Sequence, residues 1–231
     1  MGDDCLDNME KTKKSKVKVA LADATKITAS YRTYLLTEGK QPATVFKFCK
    51  EHGFKETDFY LHFASFEAIE KSIWKNYVSD TVARMIADAS YQNFTVREKI
   101  LTFYFMLAEQ WKADRSFVLF QFKGWKNPSL VPAFLKGFKS EFNEWLNQVL
   151  NEGKGTGEIA KRPVLDQRYD LIFWFHLMFV LQFWIHDESP NFEKTDAAIE
   201  KSVNLAFDLI GKGVLDNAID FGKFLYQNSK N

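Results

Sequence analysis

The stretch from Thr44 to Ile69, TVFKFCKEHGFKETDFYLHFASFEAI, constrains this chain more than any other part of it. Val45, Phe48 and Cys49 fall at i, i+3 and i+4, which gives a short helix one apolar face. Gly53 follows, and glycine is the residue best suited to the left-handed turn that closes a helix. A second short segment then offers Phe54, Phe59 and Phe63 as buried anchors. Two such helices joined at a glycine make a helix-turn-helix pattern, a spacing that other αα-hairpins share.

Upstream, Ile27, Tyr31, Tyr34 and Leu35 mark one face of a helix over about Thr25–Glu38, stopped by Gly39 with Pro42 beyond. Downstream, a helix is expected from about Ser65 to Ala89, with Phe66, Ile69 and Ile73 as its stripe and Trp74 broadening it. Tyr91 to Phe94 reads as a loop. Thr95 and Glu98 then form a Thr-x-x-Glu capping box ahead of a helix over about Val96–Lys112. Arg115 to Trp125 is a short aromatic helix broken at Asn127-Pro128, and a further helix is expected over about Leu130–Leu150. Gly153, Gly155 and Gly157 read as a flexible loop. Asp166 to His186 is apolar almost all round, so it is expected in the core or in a subunit interface. A last helical region runs from about Thr195 to Tyr226, bent at Gly211 or Gly213.

The reading is therefore all-α, with no strand pattern and no internal repeat. Lys11, Lys13, Lys14, Lys16 and Lys18 form a basic run before the first helix, read as a solvated tail or as an arm that touches DNA. The formal net charge is only +1, so any nucleic-acid contact must come from local clustering rather than an overall field. The start lacks an apolar signal segment, and the run Leu171–Ile185 is too short and too interrupted for a bilayer span. A cytoplasmic location is expected, with Cys5 and Cys49 as free thiols. No GxSxG turn, HExxH helix, zinc spacing or phosphate loop occurs; GKGTG at 153–157 follows no strand. Neither an enzyme nor a metal or other cofactor is expected.

Thr44-Val45, Gly53, Tyr60, His62, Phe63, Ser65 and Glu67 together resemble the N-terminal domain of TetR-family transcriptional regulators, over roughly residues 26–74. The resemblance implies three parts: a basic arm (1–22), a three-helix DNA-binding head (23–74), and a larger helical ligand-binding and dimerisation body (75–231). It implies that the second helix of the pair enters the major groove of a double-stranded operator. Thr44, Lys55, Thr57, Tyr60 and His62 are the expected DNA contacts. Thr44 reads equally well as a simple N-cap, and His62 as an exposed helix-end residue.

The same resemblance implies a homodimer built from the last two long helices, and a fourth helix that links head to body. In the body, the aromatic density reads first as core and second as the lining of a deep apolar cavity. Phe103, Leu107 and Trp111, Phe120, Phe138 and Phe142, and Trp174, His176 and Phe179 are the expected pocket residues for a hydrophobic small molecule or lipid. His176 fits either a satisfied core histidine or the one polar contact in such a pocket. Two departures weigh against DNA. Phe66 stands where the family carries a phosphate-binding lysine, and Glu56 and Asp58 bring carboxylates toward the groove. They motivate an alternative, a TetR-fold protein with a degenerate head that serves as a lipid-binding, isoprenoid-binding or protein-partner accessory. The expectation carried forward is a repressor controlled by a hydrophobic ligand.

Overall fold

The computed structural model describes residues 23–125, 131–162 and 166–211, and single positions at 221, 225 and 227. The basic run Lys11–Lys18, the Asn127-Pro128 break and Gly213 lie outside these residues. Among the described residues the chain is all-α: nine α-helices and two 3-10 turns, with no strand.

The head starts with α1 (Ala24–Glu38), capped by Asp23, whose carboxylate accepts from the Lys26 N–H at 2.8 Å. Gly39, at φ 66°, closes it. Thr44 caps α2 (Val45–His52) by accepting from the Lys47 N–H at 3.1 Å, and Gly53, at φ 70°, turns the chain into α3 (Glu56–His62). Ser65 caps α4 (Phe66–Ala87), accepting from the Ala68 N–H at 3.2 Å. The head core is a nest of rings. Phe66 stacks on Tyr31 at 5.2 Å and meets Phe48 and Phe59 edge-on, each at 5.5 Å. Tyr31 Oη donates to Glu70 on α4 at 2.7 Å. Phe66, at the position where the resembled family carries a phosphate-binding lysine, thus anchors the head core.

α4 runs unbroken from the head core into the body, where it packs most extensively on α7 and then on α5. Trp74 meets Tyr77, Phe122 and Phe138 edge-on at 5.3–5.6 Å and joins the two halves of that core. Tyr91–Asn93, expected as a loop, forms a 3-10 turn because Tyr91 is buried against Phe94, with Lys99 Nζ over its ring.

α5 (Val96–Ala113) carries the expected capping box: Glu98 N–H donates to Thr95 Oγ1 at 3.2 Å and Thr95 N–H donates to Glu98 at 2.7 Å. Its next two amides, Val96 and Arg97, donate to the Glu158 carboxylate at 2.8 and 2.9 Å. A negative group there also answers the positive end of the helix dipole.

α6 (Arg115–Gln121) is short, and α7 (Leu135–Thr156) corrects the glycine loop expected at 153–157. The helix continues through Gly153 and Gly155 and ends at Gly157, φ 82°. Gly153 is buried, and a Cβ on it would lie 2.8 Å from Ile159 and 3.0 Å from Val96. Its role is close approach, not flexibility.

α8 (Tyr169–Ile185) and α9 (Glu193–Ile210) complete the bundle, both packing on α5 and on each other. A 3-10 turn, Pro190–Phe192, joins them with Asn191 and Phe192 at φ 53° and 63°. The turn is held from outside. The Asp187 carboxylate accepts from the Thr195 N–H and Oγ1 at 2.8 and 2.6 Å, doing at a distance what an N-cap would do. Burial pushes the Asp187 pKa up, but the hydrogen bonds from Ser189 and Thr195 outweigh it and hold it at about 2. α9 ends at Gly211, one of the two bends expected there.

Candidate nucleic-acid interface and the aromatic body

Of the seven residues of α3, Asp58 and Phe59 turn inward while Thr57, Tyr60, Leu61 and His62 face outward. Thr44, Lys55, Thr57, Tyr60 and His62, the expected contacts, are all exposed. Thr44 sits at the start of α2 as its N-cap, and Lys55 occupies the N-cap position of α3 without a side-chain capping bond. Tyr60 packs edge-on against Phe59 at 5.4 Å and leaves 54% of its surface in solvent.

Asp58 corrects the acidic-groove expectation. It is 5% exposed and stands in the head interior, within the field that, after burial itself and Glu56, raises the Cys49 thiol pKa. One of the two carboxylates expected to repel phosphates is thereby withdrawn. Residues 23–74 hold seven Lys/Arg and seven Asp/Glu, so the head has no net charge. Glu70 accepts from Tyr31 and Gln41, and Glu51 pairs with Lys47 at 3.7 Å.

The head is tied to the body by a polar junction that no local sequence signal announces. Arg32 Nη1 on α1 donates to Asp114 Oδ2 at 2.6 Å, across 82 positions of sequence. Tyr77 Oη on α4 donates to the same oxygen at 2.8 Å. The Arg32 guanidinium also lies 5.1 Å from the centre of the Phe117 ring. The next residue, Arg115, reaches the other way. It donates to the Trp184, Ile185 and Asp187 carbonyls at 3.2–3.4 Å and covers the Trp184 and Phe192 rings at 4.7 and 4.6 Å. A cation at the last carbonyls of α8 offsets the negative end of that helix.

The expected pocket residues divide into two groups. Phe103, Leu107 and Trp111 of α5, Phe138 and Phe142 of α7, and Trp174 of α8 are buried. Phe103 and Phe142 meet at 5.5 Å, Phe138 and Trp174 at 6.2 Å. Phe120 is half-buried at the edge of α6, and Phe179 is exposed on α8. His176 joins three helices. Tyr104 Oη on α5 contacts its Nδ1 at 3.0 Å, and Ser202 Oγ on α9 its Nε2 at 2.8 Å. Burial lowers its pKa to about 4, so the ring is neutral near pH 7. Ser202 Oγ donates in turn to the Ile199 carbonyl at 3.3 Å. That chain is consistent with a proton on Nε2 and a Tyr104 donor on Nδ1.

α8 is not buried all round. Leu171, Ile172, Phe175, Phe179 and Phe183 recur at about every fourth residue and are exposed, as are Leu205 and Leu209 on α9. Phe173, Leu177, Leu181 and Trp184 fill the interior side of α8, and Ile210 that of α9. Among the described residues no helix is long and apolar enough to cross a membrane.

Solved structures share this architecture. A candidate TetR-family transcriptional regulator from Syntrophomonas wolfei superposes with a TM-score of 0.63 at 14% identity, over 83% of this chain and 96% of that one. A protein of unknown function from Rhodococcus sp. RHA1 gives 0.57 at 11%, covering 85% and 100%. A bacterial regulatory protein in the TetR family from Rhodococcus RHA1 gives 0.52 at 12%, covering 83% and 98%. At these identities the likeness concerns the fold. No curated protein sequence matches the chain. The family model described as "Tetracyclin repressor-like, C-terminal domain" matches residues 99–225, more than half of the chain. With a helix-turn-helix head in front of that body, the chain belongs to the TetR family of transcriptional regulators.

Proposed function

We propose that this regulator is a homodimeric repressor whose head, residues 23–74, holds a double-stranded operator and releases it when a hydrophobic molecule enters the body, residues 75–231. The observation that carries the reading is the apolar face of α8 and α9. Seven large side chains at helical spacing stand in water on one chain, a patch of the kind that marks a protein–protein contact. Pairing two copies through this face would put two α3 helices in one particle, as the half-sites of a palindromic operator require. Thr44 and Tyr60 would hold phosphates, and Lys55, Thr57 and His62 would stand at the groove. The buried thiol of Cys49 suits a reducing cytoplasm.

For the ligand, the rings of Phe103, Phe138, Phe142 and Trp174 offer an apolar lining that suits an acyl chain, an isoprenoid, a quinone or a hydrophobic drug. They pack on one another, so a ligand would have to bind a conformation in which they part. A ligand that prefers such a conformation shifts the population toward it. α5 carries this lining at Phe103, Leu107 and Trp111 and ends at Asp114, the residue that holds Arg32 of the head.

The accessory reading, with a degenerate head, is favoured by the neutral charge of residues 23–74 and by Glu56 at the start of α3. Phe66 has a structural reason, and Asp58 faces inward. The deciding experiment is capture of sheared genomic DNA by the full chain across a salt series. Enrichment of one palindromic site, with affinity falling steeply as salt rises, supports the repressor. Absence of enrichment at low salt, with lipid co-purifying, sinks it in favour of the accessory role.

A further inference from the structure

We infer that the head reads thymine methyl groups, with Leu61 as the specificity-determining side chain. The inference rests on the proposed operator binding and names what the groove must present. Thr57 and Leu61 stand four residues apart on α3, on one face of the helix, with Tyr60 beside them. All three are exposed, and Leu61 leaves 69% of its surface in solvent. An exposed leucine in the last turn of a seven-residue helix, away from the buried Phe59, has no packing role on its own chain. Of the two carboxylates on α3, Asp58 is turned inside and Glu56, at the first helical position, is half-buried.

Thr57, Tyr60 and Leu61 therefore offer a methyl, a hydroxyl, an isobutyl group and a phenol, without a charged side chain among the three, between Glu56 at the start of α3 and His62 at its end. In the major groove the thymine C5-methyl is the one base-edge feature that an aliphatic group recognises; guanine selects Arg or Lys, and adenine selects Asn or Gln. α3 carries no Arg, Asn or Gln, and its adjoining Lys55 lies ahead of the first turn. The occupant of this face is thus a major groove bearing thymines opposite Thr57 and Leu61 in each half-site.

The test uses the full chain and a library of random DNA duplexes, selected at low salt, followed by replacement of each enriched thymine with deoxyuridine. That change removes only the C5-methyl and keeps base pairing. Burying one methyl is worth about fourfold in affinity, so a symmetric pair of replacements is expected to weaken binding about fifteenfold. In Leu61→Ala, an exposed position that leaves the fold alone, the penalty is expected to drop below about twofold per methyl. Binding that is indifferent to deoxyuridine overturns the inference and leaves the proposed function standing. A penalty undiminished in Leu61→Ala overturns the assignment to Leu61. Failure to bind any duplex at low salt overturns the proposed function and this inference with it.

Discussion

Replacing Asp114 with alanine removes the one oxygen on which Arg32 of the head and Tyr77 of the linking helix converge, at 2.6 and 2.8 Å. A hydrogen bond to a charged group is worth about 1.5–3 kcal/mol net when well buried. The Arg32 and Asp114 side chains are 27% and 29% exposed, so solvent screening takes part of this. For the two bonds together, about 2 kcal/mol of stability is expected to go. In a chain of this length 1 kcal/mol moves Tm by about 2–4 °C, so the melting point should fall by about 4–8 °C. The assay is thermal unfolding followed by circular dichroism, at one fixed chain concentration because the Tm of the proposed dimer would depend on it. Arg32→Ala and the double variant complete a cycle, with a coupling of about 1 kcal/mol expected from the shared ion pair. Operator affinity, measured by fluorescence anisotropy on the same proteins, should change although α3 is untouched. If the two single effects simply add, within about 0.3 kcal/mol, the pair does not hold the head and the reasoning fails.

Phe175→Glu with Phe179→Glu places two charges on the exposed face of α8, and light scattering, expected to find pairs of the parent chain, should then find single chains; an unchanged mass would move the proposed interface elsewhere. His176 gives a pH signature. Its folded pKa, lowered to about 4 by burial, lies below the ordinary value of 6.5, so the unfolded chain takes up a proton the folded chain refuses. Stability contributed this way is complete above pH 6.5 and falls as pH drops to 4, by about 3 kcal/mol at the lower end. Urea unfolding at each pH should find that slope, and find it flattened in His176→Gln. Phe66→Lys, which restores the residue common in the family, should cost about 4 kcal/mol, because it opens the ring nest of Tyr31, Phe48 and Phe59 and buries a charge. Tighter DNA binding by a folded Phe66→Lys protein would contradict that account.

The head and the start of α5 were legible because their signals are local. Thr44, Gly53, Ser65 and the Thr95–Glu98 box each act within four residues of themselves, and each does in the structure what its type and spacing predict. The glycines at 153–157 misled for the opposite reason: Gly153 answers to Ile159 and Val96, neighbours that only the folded bundle supplies. Asp58 was misplaced because α3 has fewer than two full turns. Its inward face is then decided by how it crosses α1 and α2, not by periodicity. The body's aromatic content was plain, but whether rings fill a space or border one is a matter of packing. Phe103 against Phe142 and Phe138 against Trp174 fill it here. Of the two others taken with them from sequence, Phe120 is half-buried at the rim of the core and Phe179 lies toward solvent.

The least legible feature joins the most parts. Asp114 and Arg115 are adjacent, yet one grips α1 of the head and the other grips the end of α8, whose outer side is the apolar face. Asp114 is also the residue at which α5 ends and α6 begins, and its own N–H is held by the Gln110 and Trp111 carbonyls at 3.2 Å. A rotation of α5 large enough to part the rings around Phe103 therefore cannot leave this corner still. It must either drag Arg32 with it or break a 2.6 Å ion pair. Because Tyr77 of α4 shares the same oxygen, the head would be pulled through two helices at once, α1 directly and α4 through its phenol. Under the proposed ligand control, the making and breaking of this junction would separate two discrete packed arrangements, and a ligand in the body would need only to favour one of them.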